Sequence, residues 1–412
     1  MSPAKYTITL DELDPLKLKR SEFLLPEDTI YMDGNSLGPL TKSAKVRVAS
    51  VLERQWGDDL IHSWNKHHWI DLPLNVGDKI AALVGAEKGQ VIACDSTSVN
   101  LFKVLASALK INSGRQVVLS QRDNFPTDLY MVQGMSEFLG HQRCQLKSVN
   151  EDALLESIDE SVSVLMLTQV NFRSGRLHDM HKLTKRAHDN GVLVIWDLAH
   201  SAGALEIDLD KCAVDFAVGC GYKYFNGGPG APAFIYAAKK HHHTMTQPLS
   251  GWMGHAAPFE FEHDYRAGDA MLRFLAGTPN ILSLVALDAA LDVFADLDMA
   301  DVRNKSIGLS ELFMESVDAV PVLNDFELIS PRDKLERGSQ LAYTHPHAFA
   351  ISQALIAHKV VVDFRAPNII RFGFTPLYLS YQDVCKASQV LVKIVEEQLY
   401  LDPKYNARSK VT

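Results

Sequence analysis

Positive charge is in short supply. Lysine and arginine number 41 against 50 aspartates and glutamates, a formal net charge of −9. That balance gives no basic face with which to neutralise nucleic-acid phosphates or an anionic membrane. No apolar run approaches the ~18 residues of a membrane span, and the opening MSPAKYTITLDELDPLKLKR lacks the apolar centre of a secretory signal, so a cytoplasmic protein is expected. Cysteine is scarce: Cys94, Cys144, Cys212, Cys220 and Cys385 are odd in number and form no C-x-x-C pair, and reduced, buried thiols are expected rather than a disulfide framework. Metal-ligand patterns are missing too. His62, His67 and His68 do not share a helix face and have no acid or thiol set beside them, while His241, His242 and His243 diverge around any regular element and are expected as a solvated patch. Gly227-Gly228-Pro229-Gly230 is followed by no Gly-Lys-Ser/Thr, so it is neither a P-loop nor a dinucleotide fingerprint. Repeats, low-complexity segments and heptads are absent.

What remains is ample for packing: 412 residues, 47% hydrophobic, long enough for two domains with their own cores. The most informative stretch runs over 191–230. Residues 192–196 are an uninterrupted, β-branched apolar run, the pattern of a strand buried on both faces, and the run stops at Asp197. Before it, 162–167 reads as a strand and 179–189 as an amphipathic helix stopped by Gly191, a βαβ unit that implies a parallel sheet. Thr168 then shares an edge with Asp197. A further apolar run, 214–218, leads into Tyr222 and Lys223. Open α/β sheets build ligand sites outside the carboxyl ends of their strands, which places one acid and one lysine at the same crevice. A desolvated lysine there can form a Schiff base, and a pyridoxal ring needs a carboxylate against its nitrogen; equally, Asp197 can cap a short helix and Lys223 can be a loop cation.

Other segments add chemistry. Residues 90–94 read as a strand and Thr97 and Ser98 as the start of a helix, a phosphate cradle or an ordinary cap. A strand over 116–120 precedes Phe125-Pro126-Thr127-Asp128, a helix start. Residues 171–175 read as a loop without a motif. Helices are expected over 43–60, 281–317, from 348 and from 382, with short strands at 326–329, 339–344, 360–363 and 369–372, an α+β arrangement. Arg371 lies between Ile370 and Phe372, so an arginine suited to a bidentate grip on a carboxylate faces away from an apolar side.

Asp197-Leu198-Ala199-His200 and Tyr222-Lys223-Tyr224-Phe225-Asn226-Gly227-Gly228, taken with the stretch from Tyr31 to Gly38 and with Asn368-Ile369-Ile370-Arg371, resemble the kynureninase family, pyridoxal-phosphate enzymes of the aspartate-aminotransferase type I fold. The resemblance spans nearly the whole chain. It implies an N-terminal arm and helix over 1–60, a large α/β domain over 61–280 with a mostly parallel sheet flanked by helices, and a smaller α+β domain over 281–412. It implies cleavage of L-kynurenine to anthranilate and L-alanine in tryptophan breakdown, with 3-hydroxykynurenine as a related substrate. It assigns Lys223 as the pyridoxal 5'-phosphate anchor, Asp197 as the partner of the ring nitrogen and Tyr222 as a phosphate-binding and catalytic tyrosine. Thr97 and Ser98 would hold the phosphate; Phe125 would stack on the ring beside Pro126, Thr127 and Asp128; Thr168 and His200 would contact the cofactor. Trp252 and Thr278 would reach it partly across a homodimer interface. Arg371 would bind the α-carboxylate, His62 would line the aryl-ketone pocket and Ser36 would approach from the arm. The neighbouring possibilities are a cysteine desulfurase, an aminotransferase or a non-catalytic cofactor binder; here Tyr222, not histidine, precedes the lysine, and Cys385 sits in a helical pattern.

Overall fold

A computed structural model of the chain describes residues 3–407. Strand β1 (Ile30–Tyr31) lies in the N-terminal arm. The next strands, β2 (Val91–Cys94), β3 (Val117–Gln121), β4 (Gln145–Val149), β5 (Val162–Thr168), β6 (Leu193–Asp197), β7 (Phe216–Cys220) and β8 (Ala233–Ala237), form one sheet in the order β2-β8-β7-β6-β5-β3-β4. From β7 to β4 all neighbours are parallel, and β8 runs antiparallel to both β7 and β2.

Both faces of this sheet are covered, which is why its strands read as continuous apolar runs. Ile92, Val118, Val164, Ile195, Phe216 and Ile235 pack on one side against the helices Thr97–Ile111 and Pro126–Leu139. Leu119, Leu165, Val194, Trp196, Ala217 and Phe234 point the other way, toward the helix Met180–Asp189, the helix Ile281–Leu291 and the C-terminal layers.

A second, antiparallel sheet comprises β9 (Glu327–Leu328), β10 (Gln340–Thr344), β12 (Asp363–Arg365) and β13 (Ile369–Gly373) in the order β12-β13-β10-β9. The short β11 (Val360–Val361) pairs in parallel with β1, so the arm joins this second layer. Phe313, from the helix Met299–Asp318, packs on Tyr343, Phe372 and Phe374 to form the local core.

The structure departs from expectation in several places. The helix expected over 43–60 is Lys42–Ser50, continued by a wider π-type turn at Val51–Trp56 and a 3-10 turn at Leu60–His62. The helix expected over 281–317 is divided: Ile281–Leu291 ends in the 3-10 turn Asp292–Phe294, and Asp298 caps a new helix by accepting from the Ala300 amide. Strand β8, which follows the Gly227-Gly228-Pro229-Gly230 turn, and strand β4 are found only in the structure. Among the described residues no helix is long and apolar enough to cross a membrane, and no cluster of three metal-ligating side chains occurs.

Candidate active site

The sheet register aligns the site. Asp197 pairs with Thr168 on one side and Val218 on the other, and Cys94, Ala233 and Cys220 lie in one row, so the ends of β2, β5, β6 and β7 open on the same edge. Antiparallel β8 makes this possible, because its reversal turns β2 parallel to β7. The helix Thr97–Ile111 therefore begins at the edge where Asp197 ends its strand, with Ser96 capping it by accepting from the Val99 amide and with Thr97 and Ser98 half-buried in its first turn.

Asp197 is buried and accepts a hydrogen bond from the Ala199 amide at 2.8 Å. The resulting turn brings His200 under the segment after β7, where its Nε2 lies 2.9 Å from Lys223 Nζ. Burial first, and then the charge of Lys223, hold the His200 imidazole well below its usual pKa; the ring is neutral and Nε2 accepts from the lysine. The Phe125 ring centroid is 6.0 Å from Lys223 Nζ and that of Tyr222 is 5.8 Å away. An extended backbone would send Tyr222 to the opposite side from Lys223; the segment is instead a series of bends, and both side chains border the same space.

A second carboxyl lies beneath. Asp128 is fully buried, accepts from Thr168 Oγ1 at 3.1 Å, and has its other oxygen unpaired. Thr168 Oγ1 also bonds the Asn124 side chain. Burial pushes both acids up. Asp197, opposed by Lys223, rises to about 6; Asp128, buried next to Asp197, rises well above the ordinary value.

The third group is the Arg371 pocket. Arg371 is buried on β13, donates through Nη1 to the Phe172 carbonyl and through Nη2 to Ser36 Oγ at 3.0 Å, and forms an ion pair with Asp363 on the neighbouring β12. Asp363 also receives Ser36 Oγ at 2.9 Å and Arg365 Nη1 at 2.7 Å. Burial and the charge of Asp363 raise Asp33 to about 7. This pocket adjoins the lysine: Gln340 donates to the same Phe172 carbonyl at 3.0 Å, Phe172 meets Phe125 edge-on with centroids 5.2 Å apart, and the charge of Arg371 adds to the depression of His200.

The fold thus brings together Lys223, Tyr222, Asp197, His200, Phe125, Asp128 and Thr168, and next to them Arg371 and Ser36. Pro126 and Thr127 follow Phe125 in the first turn of their helix. Other expected residues stand apart within this chain. His62 is exposed on its 3-10 turn. Trp252 is 40% exposed and packs on Phe259 and Phe261. Thr278 is exposed beside a cavity of about 100 Å³ shared with Cys94 and Asp95.

Two sequence readings need correction. The segment 171–175 is more than a connection, because the Phe172 carbonyl is an acceptor for both Arg371 and Gln340; a backbone carbonyl leaves no mark in sequence. The histidine tract is not uniformly solvated, since His241 is buried, stacked on Phe216 and bonded to Asp215 at 2.8 Å.

Gly38 ties the arm to the lysine segment through its amide, which donates to the Tyr222 carbonyl at 2.8 Å. A Cβ there would stand 2.3 Å from the Lys223 carbonyl and 2.7 Å from Asn226 Cα, both backbone atoms. Gly38→Ala should cost about 1–3 kcal/mol of stability by overpacking, read by urea unfolding, and should lower kcat by shifting the lysine. Unchanged values of both would show that the arm yields instead.

Residues 302–391 match the model of the kynureninase C-terminal domain. A kynureninase from Deinococcus radiodurans is 47% identical over 94% of this chain and 95% of its own length. The chain belongs to the kynureninase family. A kynureninase from Pseudomonas fluorescens is 42% identical over 98% of both chains. Among solved structures, the apo cysteine desulfurase of Thermococcus onnurineus NA1 superposes with a TM-score of 0.76 at 20% identity, covering 92% of this chain and 97% of its own. A C-DES variant with glycine linked to its PLP cofactor gives a TM-score of 0.79 at 16% identity, covering 90% and 98%. At such identities the likeness establishes the shared type I fold.

Proposed function

We propose that this kynureninase-family chain hydrolyses L-kynurenine to anthranilate and L-alanine, with pyridoxal 5'-phosphate anchored on Lys223. The observation that carries this reading is the Lys223 amine, 2.9 Å from a neutral His200 and paired electrostatically with Asp197, opening beside the Arg371 pocket. The residues suit the cofactor chemically. An amine bonded to a neutral imidazole is free of any tight carboxylate contact, a buried acid with a charge stands ready for a ring nitrogen, and Asp128 has an oxygen still without a partner. Phe125 offers a 39% exposed ring as a stacking face, backed by Pro126 and Thr127. Thr97, Ser98 and the free amides of their helix suit the phosphate.

When bound, the cofactor supplies an electron sink for the carbon that bears the substrate amine. Lys223 then serves as the base that carries the proton from that carbon. Asp197, ionised above pH ~6, would hold a proton on the cofactor's ring nitrogen. The Ala199 amide fixes the Asp197 carboxyl, and Asp128, bonded to Thr168, lies beside it. Burial raises the Tyr222 phenol above its usual pKa, so it keeps its proton at neutral pH and can donate it to the ketone oxygen as water adds to the ketone carbon. The bond between that carbon and the next breaks, the acyl fragment leaves as the aryl acid and the amino-acid fragment takes up a proton. Arg371 grips the α-carboxylate, with Ser36 at its side, so that the scissile bond is held near these groups. His62, Trp252 and Thr278, which stand apart in one chain, are consistent with a homodimer in which a neighbour completes the pocket. 3-Hydroxykynurenine is a second substrate of the same class.

The test is to add L-kynurenine to cofactor-loaded protein and follow anthranilate fluorescence and L-alanine together. Equal release supports the reading; spectral change without either product refutes it. Arg371→Ala should raise KM for L-kynurenine by about 100-fold, the loss of a charge-assisted grip of about 3 kcal/mol, with a smaller fall in kcat. A KM within threefold of the parent would remove Arg371 from substrate binding.

A further inference from the structure

At the opposite edge of the sheet lies a cleft that the proposed reaction does not use. Its volume is about 730 Å³, within the ~300–1,000 Å³ of small-molecule sites. The floor is apolar, formed by Leu109 and Met135 with Phe138 on the rim, 74% exposed. Lys110, Arg115, Arg143 and Arg273 line it, no aspartate or glutamate does, and none of the four cations is in an ion pair among the described residues. That is unusual on a chain of net charge −9.

Two of the cations are fixed. Arg273 donates to the Met245 carbonyl at 2.6 Å and the Gly268 carbonyl at 3.2 Å, and Arg115 donates to the carbonyls of Val162 and Asn190 at 3.0 and 2.7 Å. Both guanidiniums are therefore held in place by neutral acceptors, and neither is in direct ion-pair contact among the described residues. Lys110 and Arg143 are exposed and free to close over a ligand. Lys110 also sits in the last turn of the helix Thr97–Ile111, where the carbonyl end of the helix favours the cation.

We infer that this cleft binds a small organic anion with an apolar body, an aryl or alkyl carboxylate. Inorganic phosphate would leave the Leu109, Met135 and Phe138 floor unfilled, and a neutral hydrocarbon would leave the cations unused. Arg115 precedes β3 and bonds the start of β5, so the site lies at the amino edge of the sheet, away from Lys223 at the carboxyl edge. Its connection to the active site is the helix Thr97–Ile111, whose 15 residues span about 22 Å from Thr97 to the cleft.

The test uses cofactor-loaded protein and calorimetric titration with 2-naphthoate and its neutral isostere 2-naphthamide. The acid should bind at least tenfold more tightly than the amide, and more weakly as salt rises. The double variant Lys110→Glu, Arg143→Glu, both surface changes, should lose at least tenfold in naphthoate affinity while kynurenine turnover without naphthoate stays at the parent value. Equal affinity for acid and amide would overturn the assignment, and so would undiminished binding by the double variant. If light scattering shows that the double variant changes the number of chains per particle, the cleft is a contact between copies and the small-anion assignment falls.

Discussion

Lys223→Ala should lower L-kynurenine turnover by at least about 1,000-fold and leave a protein that releases pyridoxal phosphate on gel filtration. The loss is large because the residue would serve both as the cofactor's attachment and as the proton carrier, and among the described residues the groups around Lys223 Nζ are His200, Phe125 and Tyr222, with no second amine. Folding should survive. Lys223 is half-buried and its hydrogen bond goes to a neutral histidine, so truncation strands no buried charge partner beyond Asp197, which burial already biases toward its neutral form. Circular dichroism and urea unfolding check that point separately from activity. Turnover within tenfold of the parent, with the cofactor still retained, would assign the anchor elsewhere.

The largest expected effect on stability lies away from the site, at Asp215→Ala. Asp215 opens the turn into β7 with no exposed side-chain surface, and accepts from His188 and His241 at 2.8 Å each, from Lys240 at 2.7 Å and from the Val194 amide at 2.9 Å. It joins the helix Met180–Asp189, the start of β6 and the turn after β8. Removing it leaves those donors without their acceptor, at a cost of about 3–5 kcal/mol. Thermal unfolding should drop by several degrees while KM for kynurenine is unchanged; an unaltered midpoint would show that water replaces the carboxylate fully. The sign with pH follows from the same contacts. Burial raises the Asp215 pKa, but the hydrogen bonds from His188, His241 and Lys240 outweigh it and hold the carboxyl well below the ordinary 3.8. Its contribution is therefore fully present above that value and is lost as pH falls below it toward the folded-state pKa. Between pH 5 and pH 2 the parent should lose more stability than Asp215→Asn does.

Much of the catalytic edge was legible because each part is local. An apolar run that ends at Asp197, a helix that starts at Thr97 and a proline-led helix after Phe125 are written in consecutive residues, and the parallel sheet puts their ends in one row. The Arg371 partners were not legible for the opposite reason. Asp33, Ser36 and Asp363 are separated by long stretches of chain and meet because β1 pairs with β11 and β12 with β13. Phe172 contributes a carbonyl, which every residue has. His241 belongs to Asp215, 26 positions earlier, and no spacing rule links the two. The division of the long helix near Asp298 was masked by apolar residues on both sides of the break.

The arm has a mechanical consequence. Between Tyr31, paired with Val361 of β11, and Gly38, bonded to the carbonyl before Lys223, there are few residues to pay out, at most about 25 Å of fully stretched chain. The arm is thus a leash across the crevice. Whatever swing the Arg371 layer makes to admit an amino acid is capped in amplitude by that length, and Asp33 and Ser36 travel with it, so that the gap through which substrate enters and the grip on its carboxylate are set by the same seven peptide links.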